Sequence, residues 1–319
     1  MKVVYRFLFV CAFLIGCSST GSVDDAEENA YLFSSFRGNG EDGLHLAYSH
    51  DGLHWVALKN DQSFLMPKIG GKLMRDPCII QGPEGRFHMV WTTGWTDQGI
   101  GIAHSEDLLD WSEQAFVPVM EHEPTARNSW APEIFWDNNQ GRYFIYWAST
   151  IPEKFTETVA AADKGWNHRI YYTTTGDFEN YSETELFFQP GFNVIDSTIV
   201  KKDDEYIMVL KDETRYPPSK NLLISRSKSI SGPWSPVAQP FTPKDMWVEG
   251  PTALKVNGWY FVYYDEYINH NYGAMRTKDF IEWELVSDKL DFPKGSRHGT
   301  AIPVSLNVLR KLLEEGSDR

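Results

Sequence analysis

Three acidic residues stand at comparable points in a chain of 319 residues: Asp76 in Arg75-Asp76-Pro77, Asp196 in Ile195-Asp196-Ser197, and Glu249 in Glu249-Gly250-Pro251. Two further stretches share the pattern, Trp130-Ala131-Pro132 and Arg297-His298-Gly299. Carboxyl groups give or take protons near neutral pH once their surroundings adjust them, which is the work of general acid–base catalysis. If the five stretches converge, Asp76, Asp196, Glu249 and His298 form one ring, with Arg75, Trp130 and Arg297 beside them. Three carboxylates in one concavity are expensive as structure alone, because like charges repel and desolvation penalises each. Such a cluster is a functional-site signal.

The surrounding elements decide whether they converge. Each stretch opens an apolar run. In the first four, a turn (Gly85, Gly141, Asp203-Asp204, Asn257-Gly258) leads into an aromatic-rich run such as Tyr143 to Trp147 or Trp259 to Tyr264. Turn chemistry flanked by β-favouring residues predicts hairpins. Proline just after the start is tolerable, since a strand's first residues need not donate to the ladder.

A second repeat interleaves with the first. It is a short polar turn closing on an aromatic: Ser49 to Trp55, Ser105 to Trp111, Thr175 to Tyr181, Ser227 to Trp234 and Thr277 to Trp283. The closing aromatics step by 56, 70, 53 and 49 residues. Five copies of each repeat predict an all-β fold, a five-bladed β-propeller of four-stranded blades. The turn repeat comes first in the chain and the hairpin repeat has its last copy at the end. The strands around residues 31–58 therefore lack an innermost strand, which Arg297 to Val304 can supply. The ring is then closed by strands from both chain ends, and the hairpin starts meet around a single pocket.

Composition is consistent with this. The formal charge is −14, so non-specific nucleic-acid binding is not expected. Lys2 and Arg6 precede a nine-residue apolar run, Phe7 to Ile15, well short of the roughly 20 residues that span a bilayer. It reads as a signal-peptide core. The run ends on Leu14-Ile15-Gly16-Cys17, which resembles a bacterial lipobox with Cys17 as the lipidated residue. The expected organisation is a signal peptide over 1–16, an acidic polar tether over 17–29 and one propeller over 30–319. The expected location is outside the cytoplasm, as a periplasmic or cell-surface lipoprotein whose lipid is its membrane contact. Cys78 is then the lone cysteine of the fold, most simply a core residue.

Taken in order and spacing, Arg-Asp-Pro at 75–77, Ser-Trp-Ala-Pro-Glu at 129–133, Val-Ile-Asp at 194–196, Glu-Gly-Pro at 249–251 and Arg-His-Gly at 297–299 resemble glycoside hydrolase family 43. The resemblance implies a five-bladed propeller that hydrolyses arabinosides and xylosides with inversion. It implies Asp76 as general base, Glu249 as general acid, and Asp196 as the residue that raises the acid's pKa and orients substrate. Inversion needs an acid on the leaving oxygen and a carboxylate activating water on the opposite face, roughly 6.5–9.5 Å apart. No cofactor is required. The resemblance leaves room for a Ca²⁺ in the central channel near His298, which otherwise reads as a substrate-binding or structural histidine.

Trp130 and Trp95 are candidate sugar platforms, with core packing as the alternative, and Arg75, Arg297 and His298 are candidate substrate contacts. Glu133 reads as a supporting carboxylate. Trp55, Trp111, Trp234 and Trp283 read as blade packing, and Leu306, Leu309, Leu312 and Leu313 as a helix stripe docked on the rim. The preferred activity is exo-acting α-L-arabinofuranosidase on an oligosaccharide or polysaccharide. β-Xylosidase, endo-arabinanase and a non-catalytic glycan-binding lipoprotein stay open.

Overall fold

The computed structural model describes residues 30–315. The expected signal peptide and tether, with Cys17, lie outside the described residues.

The first blade holds β1 (Ala30–Ser35), β2 (His45–Ser49) and β3 (Val56–Ala57). The second holds β4 (Arg75–Gln81), β5 (Phe87–Thr92), β6 (Ile100–Ser105) and β7 (Ala115–Val117). The third holds β8 (Trp130–Asp137), β9 (Arg142–Thr150), β10 (His168–Thr175) and β11 (Glu185–Phe188). The fourth has β12 (Val194–Lys202), β13 (Glu205–Asp212) and β14 (Leu222–Ser227). The fifth has β15 (Glu249–Val256), β16 (Trp259–Glu266), β17 (Asn271–Thr277) and β18 (Glu284–Leu285), followed by β19 (Ala301–Val304) and helix α1 (Leu306–Glu315).

Strand β19 pairs antiparallel with β1, Ala301 opposite Phe33 and Val304 opposite Ala30, and becomes the innermost strand of the first blade. The expected closure from both chain ends is therefore observed. Apolar side chains gather in five clusters, one in each seam between neighbouring blades. The seam closing the ring, with Phe33, Trp55, Tyr263 and Tyr272, is built like the other four. Full closure leaves no wide seam to fray.

The fourth blade departs from expectation in having three strands, not four. The segment 235–241 lies where a fourth would be, but it bonds only at every third residue, Ser235, Ala238 and Phe241 onto Arg226, Ile224 and Leu222. Pro236 and Pro240 have no N–H to give, so a regular ladder cannot form.

The turn repeat has a simple cause. Asp51, Asp107, Asp177 and Asp279 each accept two backbone N–H groups through Oδ1, pinning the turn that delivers the aromatic. Trp55, Trp111, Trp234 and Trp283 then pack into the seams as expected. In α1, Leu309 and Leu312 are buried against the first seam and Leu306 packs beside them, but Leu313 faces outward, 43% exposed.

Candidate active site

The innermost strands of the second to fifth blades share one irregularity. Each slips register at its start: between Arg75 and Cys78, Trp130 and Glu133, Ile195 and Ser197, and Glu249 and Thr252. Within each slip one residue takes positive φ: Asp76 (52°), Ala131 (46°), Asp196 (48°) and Gly250 (59°). A bulge re-aims a side chain out of the strand's alternation, and a non-glycine residue held there stores about 1–3 kcal/mol that the surroundings must supply. At Gly250 a side chain is excluded outright, because a Cβ would stand 2.4 Å from His298 Cγ.

The bulges bring the predicted residues together. Arg75, Asp76, Trp95, Trp130, Asp196, Glu249, Arg297 and His298 line one pocket of about 200 Å³, with Thr92, Ile195 and Glu213. Every residue expected at the pocket is there; Cys17, expected to carry lipid, lies outside the described residues.

The three carboxylates have different surroundings. Burial would raise the pKa of Asp76, but the His298 imidazole 3.4 Å away, Arg75 and the Thr92 hydroxyl outweigh it and hold the carboxyl at about 2. Thr92 Oγ1 donates to Asp76 Oδ2 (2.8 Å) while accepting from the strained Ala131 N–H (2.8 Å), so the third blade's bulge fixes the second blade's carboxylate. Asp196 is raised: burial, with Glu249 and Asp76 nearby, exceeds the opposing pull of His298 and Lys211. Its Oδ2 accepts from Gly250 N–H at 3.1 Å.

Glu249 is held by two cations, Lys211 Nζ on Oε2 (3.1 Å) and Arg297 Nη2 on Oε1 (3.2 Å). Arg297 also grips Asp265 through Nε at 2.6 Å, and Lys211, itself 1% exposed, is shared with Glu213 at 2.7 Å. Arg297 therefore serves the Glu249 side of the pocket, while Arg75 lies over the rings of Phe36 (4.7 Å) and Trp95 (4.4 Å).

Burial would lower the pKa of His298, but Asp196 and its contact with Asp76 push it to about 9, so it is an imidazolium at neutral pH. Its Nδ1 faces these carboxylates. Among the described residues no three His, Cys, Asp or Glu side chains are grouped to hold a metal ion, so a Ca²⁺ near His298 would need carbonyl or water oxygens as further ligands. Glu133 lies below the ring, buried, accepting from Thr198 Oγ1 (3.0 Å) and Thr300 Oγ1 (3.5 Å). Burial lifts it to about 7. Cys78 is buried and free, as expected.

The two tryptophans differ. Trp95 is 49% exposed at the mouth, with the Arg75 guanidinium over one side of its ring. Trp130 stacks on Trp166 (4.7 Å) and donates its Nε1 to Trp95 O (3.0 Å), which makes it a buttress as well as a lining residue.

Sequence reasoning missed Thr92, Lys211 and Asp265. A signal existed. In three of the four hairpins the strand-start residue pairs across the turn with a polar partner, Arg75 with Thr92, Ile195 with Lys211 and Glu249 with Asp265, while in the third blade Trp130 meets Ala148. Counting back through the turn finds polar residues ending otherwise apolar strands.

Comparison with known proteins agrees with this geometry. The model of the glycosyl hydrolase family 43-related domain, a probable glycosyl hydrolase domain, matches residues 26–308. An α-L-arabinofuranosidase of Bifidobacterium longum subsp. longum is 24% identical over 268 residues, 73% of this chain and 24% of the relative. The chain thus spans about a quarter of that protein's length. Among solved structures, an α-L-arabinofuranosidase from Lactobacillus brevis superposes with a TM-score of 0.51 at 20% identity, covering 67% of this chain and 72% of the other. An exo-β-1,3-galactanase from Phanerochaete chrysosporium, solved with β-1,3-galactotriose, gives 0.52 at 14% identity, covering 69% and 51%. At these identities the structural likeness speaks for the propeller fold. The family match over most of the chain speaks for more: this protein belongs to the glycoside hydrolase family 43-related family.

Proposed function

We propose that the protein is an inverting, exo-acting glycosidase that removes a terminal α-L-arabinofuranosyl unit, with Asp76 as general base, Glu249 as general acid and Asp196 as the group that orients substrate between them. The observation that carries this reading is the asymmetry of the carboxylates. Asp76 is kept ionised by His298, Thr92 and Arg75, as a base that must take a proton from water requires. Glu249 stands at the opposite side, its oxygens fixed by Lys211 and Arg297, so its direction toward a leaving oxygen is set before substrate arrives. Asp196, raised and bonded to Gly250 N–H, sits between them.

Pocket size supports exo action. About 200 Å³ accommodates one sugar ring and falls below the roughly 300–1,000 Å³ of sites for larger ligands. Trp95 supplies the apolar face on which a ring can stack. The arabinofuranosyl choice rests on the α-L-arabinofuranosidase relative found by sequence. We further propose that Cys17 carries the lipid that tethers the enzyme outside the cytoplasm, a reading that labelled-fatty-acid incorporation into wild type but not Cys17→Ala would support.

The test of activity is a panel of nitrophenyl α-L-arabinofuranoside, β-xyloside and β-galactoside, run with wild type and an Asp76→Ala/Glu249→Gln double variant. Release from the arabinofuranoside by wild type alone, with the α-anomeric bond giving β-arabinose first, is expected. Hydrolysis of another glycoside only would overturn the arabinofuranosyl assignment. Silence on every substrate, with glycan binding retained by both proteins, would make it a binding module.

A further inference from the structure

The loops joining the second and third strands of the blades emerge on the same face as the bulged starts of β8, β12 and β15, because the end of one strand pairs with the beginning of its neighbour. Residues 213–221 and 267–270 therefore border the pocket on the Glu249 side. An aromatic array runs outward from Glu249 there. Lys211 Nζ, bonded to Glu249, lies 4.7 Å from the Tyr267 ring centroid, and Tyr267 neighbours Trp247 at 6.4 Å. The Arg215 guanidinium lies over Trp247 (4.8 Å) and Tyr216 (5.4 Å), and Tyr216 is 55% exposed.

Arg215 differs from the other guanidiniums of this face. Arg75 donates to Asn39, Arg127 to the carbonyls of Lys164 and Gly165, and Arg297 to Asp265 and Glu249. No hydrogen-bond acceptor or carboxylate meets the Arg215 side chain among the described residues, in a chain whose acidic residues outnumber basic ones 44 to 30. A guanidinium stacked on rings keeps its N–H edge free for in-plane, bidentate contact with a carboxylate.

We infer that Arg215, Tyr216 and Trp247 form a subsite for the leaving-group side of the substrate, and that it takes an acidic sugar, a hexuronate whose carboxylate meets Arg215 while its ring lies against Tyr216. The position follows from the chemistry at Glu249: a general acid must face the leaving oxygen, so the sugar that departs lies on the acid's side. This deepens the proposed reading of Asp76 and Glu249 and rests on it for the direction of the substrate.

The test uses the full chain as Asp76→Ala, to prevent turnover, titrated calorimetrically with two short oligosaccharides that differ only in glucuronate against glucose beside the terminal sugar. The acidic ligand is expected to bind at least tenfold more tightly at low salt, with the advantage shrinking at high salt. Adding Arg215→Gln should abolish the difference, while Arg215→Lys should restore part of it. Equal binding of the two ligands, or a preference that survives Arg215→Gln, overturns the subsite. The nitrophenyl panel keeps the two ideas apart. An enzyme active on aryl glycosides but indifferent to the uronate refutes the subsite alone; acid-selective binding by a protein that cleaves nothing refutes the hydrolase reading and leaves Arg215 as an acidic-glycan site.

Discussion

His298 Nδ1 lies 3.4 Å from Asp76 Oδ1 and 3.9 Å from Asp196 Oδ2, so one buried imidazolium faces two carboxylates whose pKa values are displaced in opposite directions. Asp76 is held at about 2 and Asp196 is raised, although both are buried. The contrast arises from the balance at each group: burial opposes ionisation of both, but His298, Arg75 and Thr92 outweigh it at Asp76, whereas at Asp196 burial, with Glu249 and Asp76 alongside, exceeds the pull of His298 and Lys211.

If His298 is what keeps the base ionised, its removal must show in the acidic limb of the pH–rate profile. In His298→Gln the carboxyl of Asp76 loses its strongest counter-charge and titrates at higher pH, by roughly one pH unit or more. The acidic limb of kcat/KM should move upward from the position set by an Asp76 held at about 2, so the variant loses more activity at pH 3 than at pH 6. A uniform loss at both, with the limb unmoved, would make His298 a packing residue.

The same pair makes stability depend on pH. His298 titrates at about 9 in the folded protein against 6.5 ordinarily, so its contribution is complete below pH 6.5 and is lost as pH rises through 9. Glu133 acts in the same direction, since burial lifts it from 4.5 to about 7 and the folded state resists its ionisation between those values. Thermal unfolding of wild type should therefore fall from pH 6 to 9. Glu133→Gln carries no such charge. Its melting temperature relative to wild type should climb between pH 5 and pH 8, by a few degrees. A constant offset across that range would contradict a raised Glu133.

Much of this arrangement is legible in the order of residues along the chain. The closing aromatics and the hairpin starts repeat often enough to give five blades, and their phase gives the β1–β19 closure. The ring of Asp76, Asp196, Glu249 and His298 follows from that topology. What escaped is set by pairing and by backbone geometry. Lys211 sits at the end of an apolar strand, and only its register with Ile195 carries it to Glu249. Ala131 has no polar atom in its side chain, yet its bulged N–H steers Asp76 through Thr92. The missing fourth strand of the fourth blade traces to prolines in a segment that otherwise has the right length.

Lys211 illustrates the cost of that hidden network. It is buried between Glu213 and Glu249, and Glu213 is also held by Lys220. Removing one member of a buried ionic group leaves charge without compensation, at about 3 kcal/mol where other partners remain. Lys211→Met should lose stability of that order in denaturant titration. Adding Glu213→Gln should recover part of it, because the surplus charge goes with the carboxylate. If the double variant is no more stable than the single, Lys211 acts through packing and not through charge.

Glu249 can be tested as the acid by varying how much acid the substrate needs. A leaving group that is stable as an anion departs with little protonation, whereas a sugar alkoxide requires a proton in the transition state. Glu249→Gln keeps the size of the side chain and one oxygen that can accept from Lys211 or Arg297, though not from both, and has no acidic proton to give. Its kcat/KM should fall by roughly 10²–10⁴ on a disaccharide and far less on a dinitrophenyl glycoside. Asp76→Asn removes the base instead, and its loss should be similar on both substrates, because activation of water does not depend on the leaving group. Two variants with the same dependence on leaving group would undo the division of roles between Asp76 and Glu249. A steep dependence for Glu249→Gln beside a flat one for Asp76→Asn is the outcome expected if the acid stands on the Lys211–Arg297 side of the pocket and the base on the His298 side.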